Sequence, residues 1–216
     1  MTILDKRTEL TTAGASLASF SRDLYARGWM PGTSGNLSVR IPVGHGETAL
    51  ITASGRDKGS LTEDDMVAVH AQTGDVLVPG SLKASAETSI HAAVYAATEA
   101  RAVIHVHSPY ATVMACRTGE SDRTTSLRLE RFELLKGLGL DDPSRTEIPV
   151  FRNWPQVQMI ADEVDEHLGT HPDAAPGLLI ADHGITTWGK DLAQARNRLE
   201  CFEAICQLLV LGAMDS

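Results

Sequence analysis

Between Asn36 and Pro79 the chain sets down two pairs of short strand-like runs, NLSVRI with TALITA and MVAVH with DVLVP. Within each pair the break is short, and a parallel crossover needs a dozen or more residues, so each pair can only fold back antiparallel. NLSVRI (Asn36 to Ile41) and TALITA (Thr48 to Ala53) connect through the Pro42, Gly44 and Gly46 cluster, and MVAVH and DVLVP connect around Thr73 and Gly74. Ahead of this meander, Leu10, Ala13, Leu17, Phe20 and Leu24 recur at three- and four-residue steps, the stripe of an amphipathic helix that Gly28 ends.

After Ser85 helical and strand-like text alternate. Ala86 to Ala100 carries Ile90, Val94 and Ala97 at helical spacing, and AVIHVH (Ala102 to His107) is short, apolar and strand-like. Pro109 suits the first turn of a helix over Tyr110 to Arg117. A further helix is expected through LERFELLKGLG, with Leu129, Phe132, Leu135 and Leu138 as its apolar face, followed by a strand at EIPVF. Pro155 to Leu168 is expected as a helix. LLIADHGITTW surrounds a turn at Asp182 to Gly184, and Asp191 caps a long last helix. The pattern predicts an α/β layer fold on a mixed, mostly antiparallel sheet.

Composition narrows the function. The 216 residues are 43% hydrophobic and 22% charged, which suits a globular domain, and residues 1–216 are read as one. Nineteen Lys and Arg against 28 Asp and Glu leave a formal charge of −9 with no basic block, so nucleic acid is not the expected partner. No apolar run reaches the ~20 residues that span a bilayer. The start MTILDKRTEL lacks the order of a signal peptide. Cys116, Cys201 and Cys206 form no CxxC pair and are expected as reduced core thiols of a cytoplasmic protein.

Three of the eight histidines are candidates to carry the chemistry. His105 and His107 stand two apart in an expected strand, so both imidazoles project to one side. A half-buried strand can use such a pair for hydrogen bonding alone; with a third ligand it becomes a metal site. The best third ligand is His183, at the ADHG turn, where Gly184 lets the backbone bend. Three His with an open fourth position suit catalytic zinc or a similar divalent ion. His45, His70, His91, His167 and His171 are expected in loops, on helices or at strand ends without such partners.

Three loops suit an anion. GTSGNLS (Gly32 to Ser38) offers Ser34, Gly35 and Asn36; TASG offers Ser54 and Gly55; SLKASAE offers Lys83 and Ser85 ahead of a helix N-terminus. Any one of them could be an ordinary turn, and Ser85 could be only an N-cap; three together make a phosphate pocket. Two carboxylates complete the candidates. Glu87 precedes the helix that leads to the HxH strand, which suits it to a place near the metal as base or ligand, and Glu133 sits beside Phe132 on an apolar helix face, where a raised pKa would suit an acid.

In order, GTSGNLS, TASG, KASAE, IHVHS and DHG resemble the class II aldolase and adducin head family of zinc-dependent sugar-phosphate lyases, over nearly the whole chain. KASAET, VIHVHSPYATVMA and ERFELLKGLG look most like its dehydratase branch. The resemblance implies a three-layer α/β/α subunit with a central mixed sheet, and one zinc per subunit on His105, His107 and His183. It also implies a sugar-phosphate substrate cradled by Gly35, Asn36, Ser54, Gly55 and Ser85, and a homotetramer with sites at subunit interfaces. A last helix that is apolar nearly all round from Ile205 to Met214 agrees with such packing. Family aldolases and pentulose-phosphate 4-epimerases are expected to use a tyrosine near the C-terminus; this chain has Tyr25, Tyr95 and Tyr110 and none later. That favours a dehydratase with Glu133 as general acid/base over those enzymes, and the three histidines argue against a non-catalytic, adducin-head-like binding module. Ser85 is followed by Ala86 where many family aldolases have a second serine.

Overall fold

The computed structural model describes residues 3–41 and 47–212, with side chains from Thr8 onward. The Pro42–Gly46 connection, with His45, and Met214 lie outside the described residues.

The first helix, α1 (Ile3–Ala26), ends at Gly28, whose φ of 76° only glycine adopts freely. Three strands follow, β1 (Asn36–Ile41), β2 (Thr48–Thr52) and β3 (Met66–His70); β1 and β2 pair antiparallel as their short connection predicts, and β2 also pairs antiparallel with β3. Next come α2 (Thr88–Ala97), β4 (Ala102–Val106), α3 (Pro109–Thr118), β5 (Thr125–Glu130) and β6 (Arg145–Phe151). The chain finishes with α4 (Val157–Thr170), β7 (Gly177–Ile180), β8 (Gly184–Gly189) and α5 (Leu192–Val210), the last capped by Asp191, whose side chain accepts from the Gln194 amide at 2.7 Å.

All eight strands form one sheet in the order β3-β2-β1-β4-β8-β7-β6-β5. Only β6 and β7 run parallel; every other neighbour is antiparallel, so the sheet is mixed and mostly antiparallel. Each face is covered by helices. Leu17 and Leu24 of α1, Ala111 and Ala115 of α3, and Leu199 and Phe202 of α5 pack with Leu37, Ile104, Val106 and Ile185 on one side. Ile90 and Val94 of α2 and Ile160 and Val164 of α4 pack with Ile51, Val103, Leu178 and Ile180 on the other. The result is the three-layer α/β/α arrangement.

Local expectations are corrected at three places. LERFELLKGLG is not a helix: its first residues belong to β5, where Leu127 and Leu129 are buried and alternate with exposed Ser126 and Arg128. Arg131 then turns the chain at φ 65°, and Glu133–Leu138 forms a 3₁₀ turn stopped by Gly139. DVLVP is not a strand; Val76 makes an isolated bridge to Val69, and Val76, Leu77 and Val78 are exposed. Cys116 is exposed rather than a core thiol, whereas Cys206 is buried; all three cysteines are free. In the last helix Ile205 and Cys206 are buried, while Leu208, and Leu211 just past its end, are exposed.

Candidate metal centre and active site

Strand β4 lies between β1 and β8 near the middle of the sheet, and its alternation decides where the histidines go. Ala102, Ile104 and Val106 face α1, α3 and α5, so Val103 and His105 face the side of α2. His107 follows directly after the strand, its amide held by the Trp29 carbonyl at 2.9 Å. His183 comes from the β7–β8 turn, whose preceding residue Asp182 sits at φ 55°. Gly184 lets this turn close on β4: a Cβ there would stand 2.3 Å from the Val106 oxygen and 3.3 Å from the His107 Cα.

The three rings meet edge to face, with centroids 5.1 Å apart for His105 and His107, 5.0 Å for His105 and His183, and 4.7 Å for His107 and His183. Glu87, the residue before α2, reaches the same point. Its Oε1 is 2.8 Å from His183 Nε2 and its Oε2 is 3.5 Å from His105 Nε2, while Asn36 Nδ2 donates to Oε2 at 2.5 Å. Burial raises the Glu87 pKa, but His105, His183 and Asn36 outweigh it and hold the carboxyl well below the usual carboxylate range. Burial also pushes His105 down to about 3 and lowers His107, which favours the neutral ring, the form that donates a lone pair.

The donor set fits a divalent cation. One ligand atom from each of Glu87, His105, His107 and His183 can be chosen so that all lie within 4.8 Å of one another. His105 Nδ1 pairs with Thr186 Oγ1 at 2.9 Å, which fixes the ring and turns Nε2 toward the cluster, the arrangement by which an outer partner orients a metal-binding imidazole. His105 Nε2, His183 Nδ1 and Asn36 Oδ1 are buried without hydrogen-bond partners, as atoms awaiting a ligand are.

The three small-residue loops meet at this end of the sheet. The Ser54 amide donates to the Lys83 carbonyl at 2.9 Å, an Ala53–Ala84 bridge joins the second loop to the third, and Asn36 joins the first to Glu87. Gly35 (φ 74°) and Gly55 (φ 70°) use conformations that other residues rarely adopt. The Ser85 hydroxyl accepts from the Glu87 amide at 3.3 Å and so shapes the start of α2. Ser34 donates its hydroxyl to the Pro31 carbonyl, and Lys83 is exposed.

Glu133 is not brought to the cluster within one chain. It is exposed on the 3₁₀ turn with Lys136 at 2.8 Å, so the expected apolar surround is absent. Two residues here carried no sequence signal. His91, one turn after Glu87, is buried with Nδ1 2.6 Å from Ser38 Oγ, and Ser38 also meets the Tyr95 hydroxyl at 2.7 Å. Lys58 lies buried beside the first two loops.

Comparison with known proteins agrees with this architecture. The family described as "Class II Aldolase and Adducin N-terminal domain" matches residues 15–210. The chain is 42% identical to a methylthioribulose-1-phosphate dehydratase of Microcystis aeruginosa over 90% of this chain and 93% of that protein. It is 52% identical, over 91% of its length, to a Nocardia farcinica protein named "Probable bifunctional methylthioribose-1-phosphate isomerase/methylthioribulose-1-phosphate dehydratase". There it spans about a third of the relative, 35% of its length. The crystal structure of YgbL from Klebsiella pneumoniae superimposes with a TM-score of 0.77 at 24% identity, covering 96% of this chain and 92% of that one, which speaks for the fold alone. The chain belongs to the class II aldolase and adducin N-terminal domain family.

Proposed function

We propose that the chain is a zinc-dependent methylthioribulose-1-phosphate dehydratase that removes water from 5-methylthioribulose 1-phosphate to give 2,3-diketo-5-methylthiopentyl 1-phosphate. The observation that carries this reading is the near end-to-end match to a dehydratase of similar length, in a chain whose three histidines and Glu87 converge on one point. Zinc held by His105, His107 and His183 would act as a Lewis acid on the ketose oxygens.

The chain's own groups handle substrate and protons. Gly35, Ser54, Gly55 and Ser85, on loops that meet beside the cluster, are read as the phosphate cradle, with Lys83 and Ser34 at its rim and Asn36 holding Glu87. Glu87, the carboxylate of the candidate metal cluster, is read as the base that takes the proton from carbon 3. Glu133 is read as the acid that protonates the hydroxyl leaving carbon 4, after which the enol tautomerises to the diketone. Because Glu133 is exposed in the single chain, this reading requires a homotetramer in which a neighbouring copy would cover it. The single domain and the cytoplasmic setting belong to the same reading; among the described residues no helix is long and apolar enough to cross a membrane.

The test is direct. Purified, zinc-loaded protein given methylthioribulose 1-phosphate should release a dicarbonyl product, with fuculose 1-phosphate left untouched. Glu133→Gln should stop turnover while about one zinc per subunit stays bound. Cleavage to dihydroxyacetone phosphate would make it an aldolase; a stable protein without metal or turnover would make it a binding module.

A further inference from the structure

Lys58 is 1% exposed, although Arg56 and Asp57 before it and Ser60 after it are exposed. Lysine is almost never buried so completely unless its charge is answered. Its Nζ donates to the Thr33 carbonyl at 2.8 Å and the Arg56 carbonyl at 3.0 Å. Its own carbonyl accepts from Ser21 Oγ of α1 at 3.0 Å, so the residue is anchored at both ends. Thr33 lies in the Gly32–Asn36 loop and Arg56 follows Ser54–Gly55, so one ammonium ties together two of the three loops assigned to the phosphate.

Carbonyl dipoles orient a cation but do not neutralise it. Among the described residues no carboxylate comes within 4.0 Å of Lys58 Nζ, and Asp57 instead accepts the Gly59 amide at 3.0 Å. Burial lowers the Lys58 pKa, while the more distant charges of Asp57 and Glu87 pull it back up. A chain of net charge −9 thus keeps a buried, unpaired positive charge beneath two glycine-bearing loops. A buried charge left unpaired is costly, and an anion bound over those loops would answer it.

We propose that Lys58 is the fixed cation of the phosphate subsite, a positioning residue that holds the Gly32–Asn36 and Ser54–Gly55 loops from beneath and supplies the positive field a phosphate monoester completes. This rests on the sugar-phosphate reading above. It also moves the cationic role from Lys83, whose side chain is exposed, to a lysine that ordinary turn text (RDKGS) conceals.

The experiment measures binding of inorganic phosphate to zinc-loaded protein in the wild type, Lys58→Gln, Lys58→Met and Ser21→Ala. Gln keeps N–H donors for the two carbonyls without the charge, Met keeps the length, and Ser21→Ala loosens the same segment while leaving the charge. Both Lys58 variants should hold zinc at wild-type stoichiometry and bind phosphate at least tenfold more weakly, with KM for the phosphate ester rising by a similar factor and kcat changing less. Ser21→Ala should stay within about twofold for phosphate. A folded, zinc-loaded Lys58→Gln with wild-type phosphate affinity overturns the proposal and leaves the sugar-phosphate reading standing. A wild-type protein that turns over no sugar phosphate and binds no phosphate overturns that reading and this one with it. Should neither Lys58 variant fold, the wild type decides: its phosphate affinity should fall as pH rises from 7.5 toward the ordinary lysine value of 10.5, and a flat profile overturns the proposal.

Discussion

At the residue scale the site depends on close approach as much as on ligand identity. His105, His107 and His183 were legible because strand periodicity and a glycine turn are local signals. Glu87 was legible as a carboxylate near the metal, as base or ligand, and it joins the histidine cluster; its contacts with Asn36 and two histidines come from strand register and the entry angle of α2. Lys58 and His91 were not legible, because burial depends on what packs over a residue and nothing nearby in sequence encodes it. Gly184 shows what close approach requires. Gly184→Ala would put a methyl group 2.3 Å from the Val106 oxygen, so the β7–β8 turn must move off β4 and carry His183 away from His107. Overpacking of this kind costs about 1–3 kcal/mol, and zinc affinity should fall with it. Gly55→Ala has no atom within 4 Å of its new methyl, only an unfavourable φ of 70°, and should lower stability by about 1 kcal/mol while leaving zinc affinity unchanged. Thermal unfolding and zinc competition titrations on the two variants separate these outcomes.

At the scale of elements the metal site is braced by a helix that never touches it. Glu203 of α5 is buried and accepts from Ser108 Oγ at 2.7 Å and from the amides of Tyr110 and Ala111 at 2.9 and 2.8 Å. It thereby caps α3, which begins two residues after His107, with the negative charge that free amides at a helix start favour. Glu203→Ala would leave those donors buried and unanswered, costing about 2–4 kcal/mol. It should also weaken zinc binding, because the backbone that carries His107 loses its anchor. Glu203→Gln, which keeps an acceptor, should recover part of both losses; equal zinc affinity in the wild type and Glu203→Ala would show that α5 does not brace the site. The elements themselves were mostly readable, and the two misreadings share a cause. Leu127 and Leu129 stand two apart as in a strand, while Leu129, Phe132, Leu135 and Leu138 recur every three as on a helix face, and pairing of Thr125–Glu130 with β6 selects the strand for the first part. DVLVP has strand composition but only one bridge to β3, so its apolar side chains stay in solvent.

For the whole molecule, the antiparallel start and the later helix–strand alternation point to an α/β layer fold on a mixed, mostly antiparallel sheet, and the second helix layer follows only from the family resemblance. Which edges lie outermost was not readable, because strand order depends on contacts between distant segments. The layering places titratable groups inside, and it makes the metal-free protein sensitive to acid. His91 sits between α2 and the sheet, and burial pushes its pKa from an ordinary 6.5 down to about 4; His105 is held lower still. With the folded values depressed, the unfolded chain binds more protons as pH falls through this range, so stability is fully present above about 6.5 and is lost as pH drops toward 4. Glu87, also depressed, extends the same loss to lower pH. Urea unfolding of the metal-free protein at pH 7, 5.5 and 4.5 should therefore give a midpoint that falls steadily. In His91→Gln, which cannot take up that proton, the fall should be shallower although the starting stability is lower. A midpoint that holds constant from pH 7 to 4.5 would mean that the layers open to admit protons without unfolding.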